Sequence, residues 1–306
     1  VVYYQKEYFP TLIRQFRKIK ISHKVDLVHI HNYDRILASL TILKTEKEKI
    51  PTLITLHGSL LGPIFDNNLF SKVKLTYDRI ITKKLLNKVK KIIALGYIEK
   101  KFLTTRLLIN KEKIEVIPNW IKNDAFLSYK PTVKVSSIIE KTRGKYILSL
   151  SRIDKNKQLR LIIEVLPYLP KDLHYVIAGP DQGELQKLLS LAVEKGVKER
   201  VHYVGPCYGR EKYALIRNSL ALIIPSKFEA FSIAALEAMA QGVPVIATNT
   251  WGIREIVMHN INGYLFKFPQ ELGKYVMMLY NDENLKCELG KNGKQIAKHF
   301  IFENIY

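Results

Sequence analysis

Along the chain, short runs rich in β-branched residues alternate with stretches of helical periodicity, the pattern of βαβ units and parallel sheets. In the first half, strands are expected at Val25–Ile30, Thr52–His57, Lys91–Leu95 and Glu115–Ile117, with helices such as Tyr33–Lys47 and Tyr97–Leu108 among them. Pro131, the polar run Lys134–Ser137 and Gly144 interrupt the pattern and place an interdomain linker near residues 122–145. The second half is more regular, with strands expected at Tyr146–Ser151, His174–Ala178, Val201–Val204, Leu220–Pro225, Val243–Thr248 and Gly263–Phe266. A helical pattern follows each, and Gly196 and Gly242 mark helix C-terminal stops.

The 306 residues suffice for two domains, each of about 150 residues. They are expected at 1–130, a partial unit, and 145–306. Six βα units make a complete doubly wound domain whose ligand sits at the carboxyl ends of the strands. The first half shows four strands where roughly six are usual, so about 60 residues are expected to be absent upstream.

Apolar residues make up 47% and charged residues 25%, the balance of a chain with a packed core. No apolar run approaches the ~18 residues of a membrane span. The two cysteines, Cys207 and Cys287, form no C-x-x-C, so neither a disulfide framework nor a zinc site is indicated. A reducing, cytoplasmic location is expected.

The net charge of +21 is uneven, with 29 Lys+Arg against 12 Asp+Glu in residues 1–145 and 20 against 16 in the remainder. A first half so basic suits an anionic partner, such as a phosphorylated acceptor or an anionic membrane surface on its inner face; a solvated basic surface is the plainer alternative. Nucleic acid is not expected: no RNP-like, zinc-finger or Gly-x-x-Gly clamp is present, and the lysines are scattered through helical stretches.

The segment from Pro225 to Ala240 carries the most chemistry. A strand ends at Pro225, a short loop bears Glu229, and Ser232 is a good N-cap for the helix that follows. The unpaired N–H groups of the first turn, near Ala230, Phe231 and Ser232, suit a phosphate. Glu229 and Glu237 are expected to project toward one strand-end crevice, where two carboxylates could grip two polyols on either side of a diphosphate. A solvated Glu on an amphipathic helix is the plain alternative, but Glu237 sits within Ala-Ala-Leu-Glu-Ala-Met-Ala, where an unpaired charge is costly. Arg152 and Lys157 follow the first strand of the same domain and could neutralise charge on a departing diphosphate. The chain contains no Asp-x-Asp metal clamp, so side-chain cations are the natural substitute and no metal is expected. His29 and His31 share a strand face, but without nearby Cys or acidic ligands they read as structural.

The Glu229–Glu237 spacing together with Arg152 and Lys157 resembles the family-four retaining glycosyltransferases. That resemblance implies a GT-B fold, α/β with two Rossmann-like doubly wound domains facing a cleft, the incomplete first (1–130) on the acceptor side and the second (145–306) binding the nucleotide-sugar donor. It implies that Glu229 binds donor-sugar hydroxyls, Glu237 the nucleotide ribose, and Arg152 and Lys157 the diphosphate. Ile177–Pro180, with Gly179 and Pro180, resembles the family's nucleotide-side turn, and Val204-Gly205 its element near the base. Trp251–Glu255 and Asn262–Phe266 match its C-terminal pattern. In the first half, Asp26–His31, Leu53–Gly58 and Ile117–Trp120 are similar to family landmarks, which makes His57 a candidate for positioning or polarising the acceptor hydroxyl. A Gly-rich opening loop and a closing crossover helix are missing by the same comparison, so the chain is expected to be trimmed at both ends.

The resemblance implies transfer of a sugar from a UDP- or GDP-sugar to an acceptor hydroxyl, on a lipid-linked or envelope glycan, with retention of configuration. The nucleotide sugar is a co-substrate, and no separate cofactor is expected. A degenerate, non-catalytic module binding nucleotide sugars or polyanions is the alternative.

Overall fold

The computed structural model describes residues 25–33, 36–61, 73 and 75–305. The chain divides into two compact units, Val1–Ile117 and Pro118–Tyr306.

The first unit contains β1 (Val28–His31), α1 (Ile36–Lys47), β2 (Thr52–Thr55), β3 (Lys91–Ala94), α2 (Tyr97–Thr105) and β4 (Ile114–Val116). Its strands form one parallel sheet in the order β1-β2-β3-β4. Ile54, Ile92 and Ala94 are buried on the sheet, and α2 packs Phe102 and Leu103 into the same core. Strand β2 stops at Thr55 rather than His57, because His57 and Gly58 adopt φ of +50° and +72°. Left-handed backbone cannot continue an extended ladder.

The second unit begins before the expected linker has ended. Residues 122–145 are largely structured: α3 spans Val133–Thr142, where a connecting loop was expected. Thr132 caps it by accepting from Val135 N, Val135 and Thr142 are buried, and Arg143 ends it in the left-handed region. Within the run Lys134–Ser137, Val135 points into the core while Ser136 and Ser137 are exposed, so its polarity is that of one face of an amphipathic helix and not a break.

The unit continues with β5 (Tyr146–Leu150), α4 (Arg160–Val165), β6 (His174–Ala178), α5 (Leu185–Glu194), β7 (Val201–Tyr203), α6 (Gly209–Arg217), β8 (Leu222–Ile224), α7 (Ile233–Ala240), β9 (Val245–Thr248), β10 (Gly263–Phe266), α8 (Pro269–Asn281) and α9 (Glu283–Ala297). Helices α5 and α7 are followed by Gly196 and Gly242, at φ of +67° and +73°. The six strands are all parallel, in the order β10-β9-β8-β5-β6-β7. Ile147, Tyr175, Ile177, Ile223, Ile246 and Phe266 fill the core on the sheet. Running outward from β5, connections go one way through β6 to β7 and the other way through β8 to β10. The order therefore reverses between β5 and β8, and the loops leaving their carboxyl ends part around a crevice, the place where doubly wound sheets bind ligands.

Candidate functional site at the β5/β8 switch point

Two loops build the site. After β5, Asp154 Oδ1 accepts from Asn156 N (2.9 Å) and Lys157 N (3.2 Å), which folds residues Lys155–Lys157 into a single 3-10 turn. Asn156 then ties this turn to the loop after β8. Its Nδ2 donates to Phe228 O (3.0 Å), and its carbonyl accepts from Lys227 N (2.8 Å). The stitching brings Lys157 Nζ to 2.9 Å from Glu229 Oε2, with both side chains only 15% exposed. Arg152, Lys157, Glu229, Phe231 and Ser232 line one crevice of about 240 Å³. Ser226 lines it too, with a buried hydroxyl that has no hydrogen-bond partner among the described residues.

Helix α7 starts at the floor of this crevice. Ser232 Oγ accepts from Ala235 N (3.3 Å), and Ile233 and Ala234 of the first turn face the opening. Backbone N–H groups at such a start carry partial positive charge and suit an anion. Gly252 backs the Glu229–Ala230 loop: its N–H donates to Glu229 O (3.0 Å), and a Cβ there would fall 2.1 Å from Ala230 O. Only hydrogen fits at this close approach.

Gly179, Pro180 and Gly205 are not among the residues lining the crevice; they buttress its β5 side. Gly179 N donates to Gly205 O (2.9 Å), Ile153 N to Pro180 O (2.9 Å), and Tyr203 Oη to Gly179 O (3.0 Å). A Cβ on Gly179, at φ +144°, would lie 1.8 Å from Ser151 O.

Glu237 does not line the crevice that holds Glu229. It lies one turn further along α7, about 5 Å deeper, and is only 8% exposed. Burial pushes its carboxyl above the usual range; Lys212 of α6 opposes that, with Nζ 2.5 Å from Oε1, while Asp124 adds to the rise. The unpaired charge that the apolar setting made costly is thus paired, by a lysine that the sequence shows only as one of several cations on α6.

In the first unit, His31 on β1 and His57 after β2 are neighbours because those strands pair. His31 Nδ1 and His57 Nε2 are 3.0 Å apart, and His29 Nε2 is 2.8 Å from Thr55 Oγ1. Burial, then the charge of His31, holds the His57 imidazole below its ordinary value, favouring the neutral ring. Sequence reasoning missed Glu99. Its carboxylate is 4% exposed and accepts from Gly58 N (2.9 Å) and Leu95 N (2.8 Å), which clamps the His57–Gly58 turn to the end of β3. Its one signal is an acidic residue in the first turn of α2. Asn156 carries no comparable signal. Among the described residues, no group of three or more His, Cys, Asp or Glu side chains is placed to hold a metal.

Residues 134–296 match the family model described as glycosyl transferases group 1, and residues 1–124 match that of glycosyltransferase family 4. The chain is 28% identical over 291 residues to the uncharacterized glycosyltransferase MJ1178 of Methanocaldococcus jannaschii, covering 92% of this chain and 73% of that protein. It is 28% identical over 200 residues to the D-inositol 3-phosphate glycosyltransferase of Xylanimonas cellulosilytica, covering 62% of this chain and 48% of that protein. The structure of Anabaena HepE in complex with UDP-glucose matches with a TM-score of 0.79 at 21% identity, over 97% of this chain and 79% of that one. With one glycosyltransferase model over more than half of its length, a second over all of its first unit, and two parallel sheets of the GT-B type, the chain belongs to the family-four glycosyltransferases.

Proposed function

We propose that the chain transfers a sugar from a UDP- or GDP-linked donor to an acceptor hydroxyl, with retention of anomeric configuration. The observation that carries this reading is the crevice at the β5/β8 switch point, where Arg152, Lys157, Glu229 and the start of α7 converge. Arg152 and Lys157 take the diphosphate and neutralise the charge that develops as it leaves. The amides near Ala230, Phe231 and Ser232 take a phosphate, and Glu229 accepts from donor-sugar hydroxyls. Glu237 accepts from the ribose, Gly179, Pro180 and Gly205 shape the nucleotide side, and His57 positions the acceptor hydroxyl. HepE, a structural neighbour, binds UDP-glucose, which supports a nucleotide-sugar donor.

Without an Asp-x-Asp clamp, the side-chain cations serve the diphosphate and no divalent metal is required. The acceptor in this reading is a lipid-linked or envelope glycan, approached from the inner membrane face. The basic first half supports that reading, each Lys or Arg near an anionic leaflet adding about 1 kcal/mol. Of the two basic stretches suited to this, Arg14–Lys24 lies outside the described residues and Lys72–Lys91 is described in part. No described helix is long and apolar enough to cross a membrane.

The test is a transfer and donor-hydrolysis assay across UDP- and GDP-sugars, with and without a chelator. Sugar transfer that survives the chelator supports the proposal. Loss of activity with the chelator removes the metal-free part, and nucleotide-sugar binding without turnover of any donor favours the non-catalytic alternative. Recovery on anionic but not neutral vesicles, weakened by salt, supports the membrane part; equal recovery on both removes it.

A further inference from the structure

Each carboxylate of the Glu229–Glu237 pair has its own lysine. Lys157 meets Glu229 in the crevice, and Lys212 meets Glu237 beneath the protein surface, with side-chain exposures of 19% and 10%. Lys212 is fixed by more than the ion pair, since its Nζ also stands 4.9 Å above the ring centroid of Tyr213. The groups facing Glu237 come from two neighbouring elements. Helix α6 supplies Lys212 and Tyr213, and the turn Asn123–Phe126 supplies Asp124, to which Tyr213 Oη donates at 3.3 Å. That set holds one cation against a second carboxylate and a phenol. Without the cation, a carboxylate so buried takes up a proton. A protonated carboxyl has lost part of its acceptor capacity and cannot grip a pair of hydroxyls as the ionised form does.

We propose that Lys212 is a positioning residue for the donor site, holding Glu237 ionised and turned by its bond to Oε1 so that the carboxylate accepts from the nucleotide ribose. The inference rests on the donor reading above and extends it to a residue outside the Glu229 crevice. Its sequence setting, Gly209-Arg210-Glu211-Lys212-Tyr213, looks like an ordinary solvated helix face.

The experiment is calorimetric binding of UDP and of GDP, from about pH 5.5 to about pH 8.5, to the parent chain, Lys212→Met, Lys212→Arg, Glu237→Gln and the double variant Lys212→Met/Glu237→Gln. Circular dichroism checks that each variant folds. Lys212→Met is expected to lose about tenfold or more in affinity at the acid end, the scale of one charge-assisted hydrogen bond. It should regain affinity as pH rises and Glu237 ionises, while Lys212→Arg stays near the parent. Glu237→Gln should bind weakly and lack the extra pH dependence that Lys212→Met adds to the parent's profile, leaving only that of the nucleotide's own phosphate, and the double variant should match it. The double variant buries no unpaired charge, so it keeps the test decisive if Lys212→Met fails to fold. A Lys212→Met profile parallel to the parent's, or a further loss in the double variant beyond Glu237→Gln, overturns the proposal. If the parent binds neither nucleotide, the donor reading itself falls and takes this inference with it.

Discussion

Lys157 Nζ sits 2.9 Å from Glu229 Oε2, and this contact joins the loops after β5 and β8 across 72 positions of sequence. The pair is largely withdrawn from solvent, so each partner keeps the other's burial from becoming a cost. A diphosphate donor entering the crevice would compete for Lys157 while its sugar competes for Glu229.

The first prediction concerns this pair. A double-mutant cycle with Lys157→Met and Glu229→Gln should give a stability coupling of about 0.5–3 kcal/mol, the range for contacting charged residues. Lys157→Met should also weaken UDP- or GDP-sugar binding by about tenfold to a hundredfold, the loss of one or two charge-assisted bonds. Glu229→Gln should abolish transfer while leaving free-nucleotide binding largely intact. Additive denaturation energies in the cycle would show that the contact carries no energy.

Gly252 and Gly205 should separate under substitution to alanine. Gly205, at φ +71° with nothing within 4 Å of its Cβ position, bears conformational strain only, expected at about 1–2 kcal/mol. Gly252→Ala places a methyl 2.1 Å from Ala230 O and 2.3 Å from Glu229 O. The Glu229 loop must then shift, so transfer should fall far more than stability does. Urea denaturation and donor turnover, measured on both variants, check the contrast.

Glu99→Ala removes the acceptor for two buried N–H groups, Gly58 and Leu95. A loss of about 2–4 kcal/mol is expected in urea denaturation, with Glu99→Gln intermediate because its amide offers a single acceptor oxygen. Transfer should drop as the His57 turn relaxes, whereas UDP or GDP binding to the second unit should not change. An equal loss of nucleotide binding would contradict this division.

Acid sensitivity is expected from His202 on β7. His174 Nδ1 and His202 Nε2 are 2.9 Å apart, and burial, then Lys141, then His174 push His202 down to about 4 from its ordinary value of 6.5. The folded chain therefore binds this proton less readily than the unfolded one. Its contribution to stability is complete above about pH 6.5 and is lost as pH falls toward 4, on the order of 2–3 kcal/mol. His202→Gln should flatten the stability profile in that window, as read by denaturation midpoints at stepped pH. A variant as acid-sensitive as the parent would assign the effect elsewhere.

The sequence by itself determined the strands of both described sheets to within a few residues, because short β-branched, apolar runs bounded by turn residues are local signals. It also located Ser232 as a helix cap and marked Arg152, Lys157 and Glu229, since residues after strand ends in a parallel sheet share one edge. Amphipathic polarity misled it at Val133–Thr142, where one solvent-facing side of a helix looks like a linker. Only the tertiary structure decided which carboxylate meets which cation. Lys212, Asn156 and Glu99 act on partners 25, 72 and 41 positions away. Such pairings depend on strand order and helix packing, and a lysine or asparagine in one chain looks the same whether its partner is solvent or a buried carboxylate. Burial supplies the physical difference: it turns an ordinary ion pair into one that sets a protonation state, and burial is a property of the folded chain.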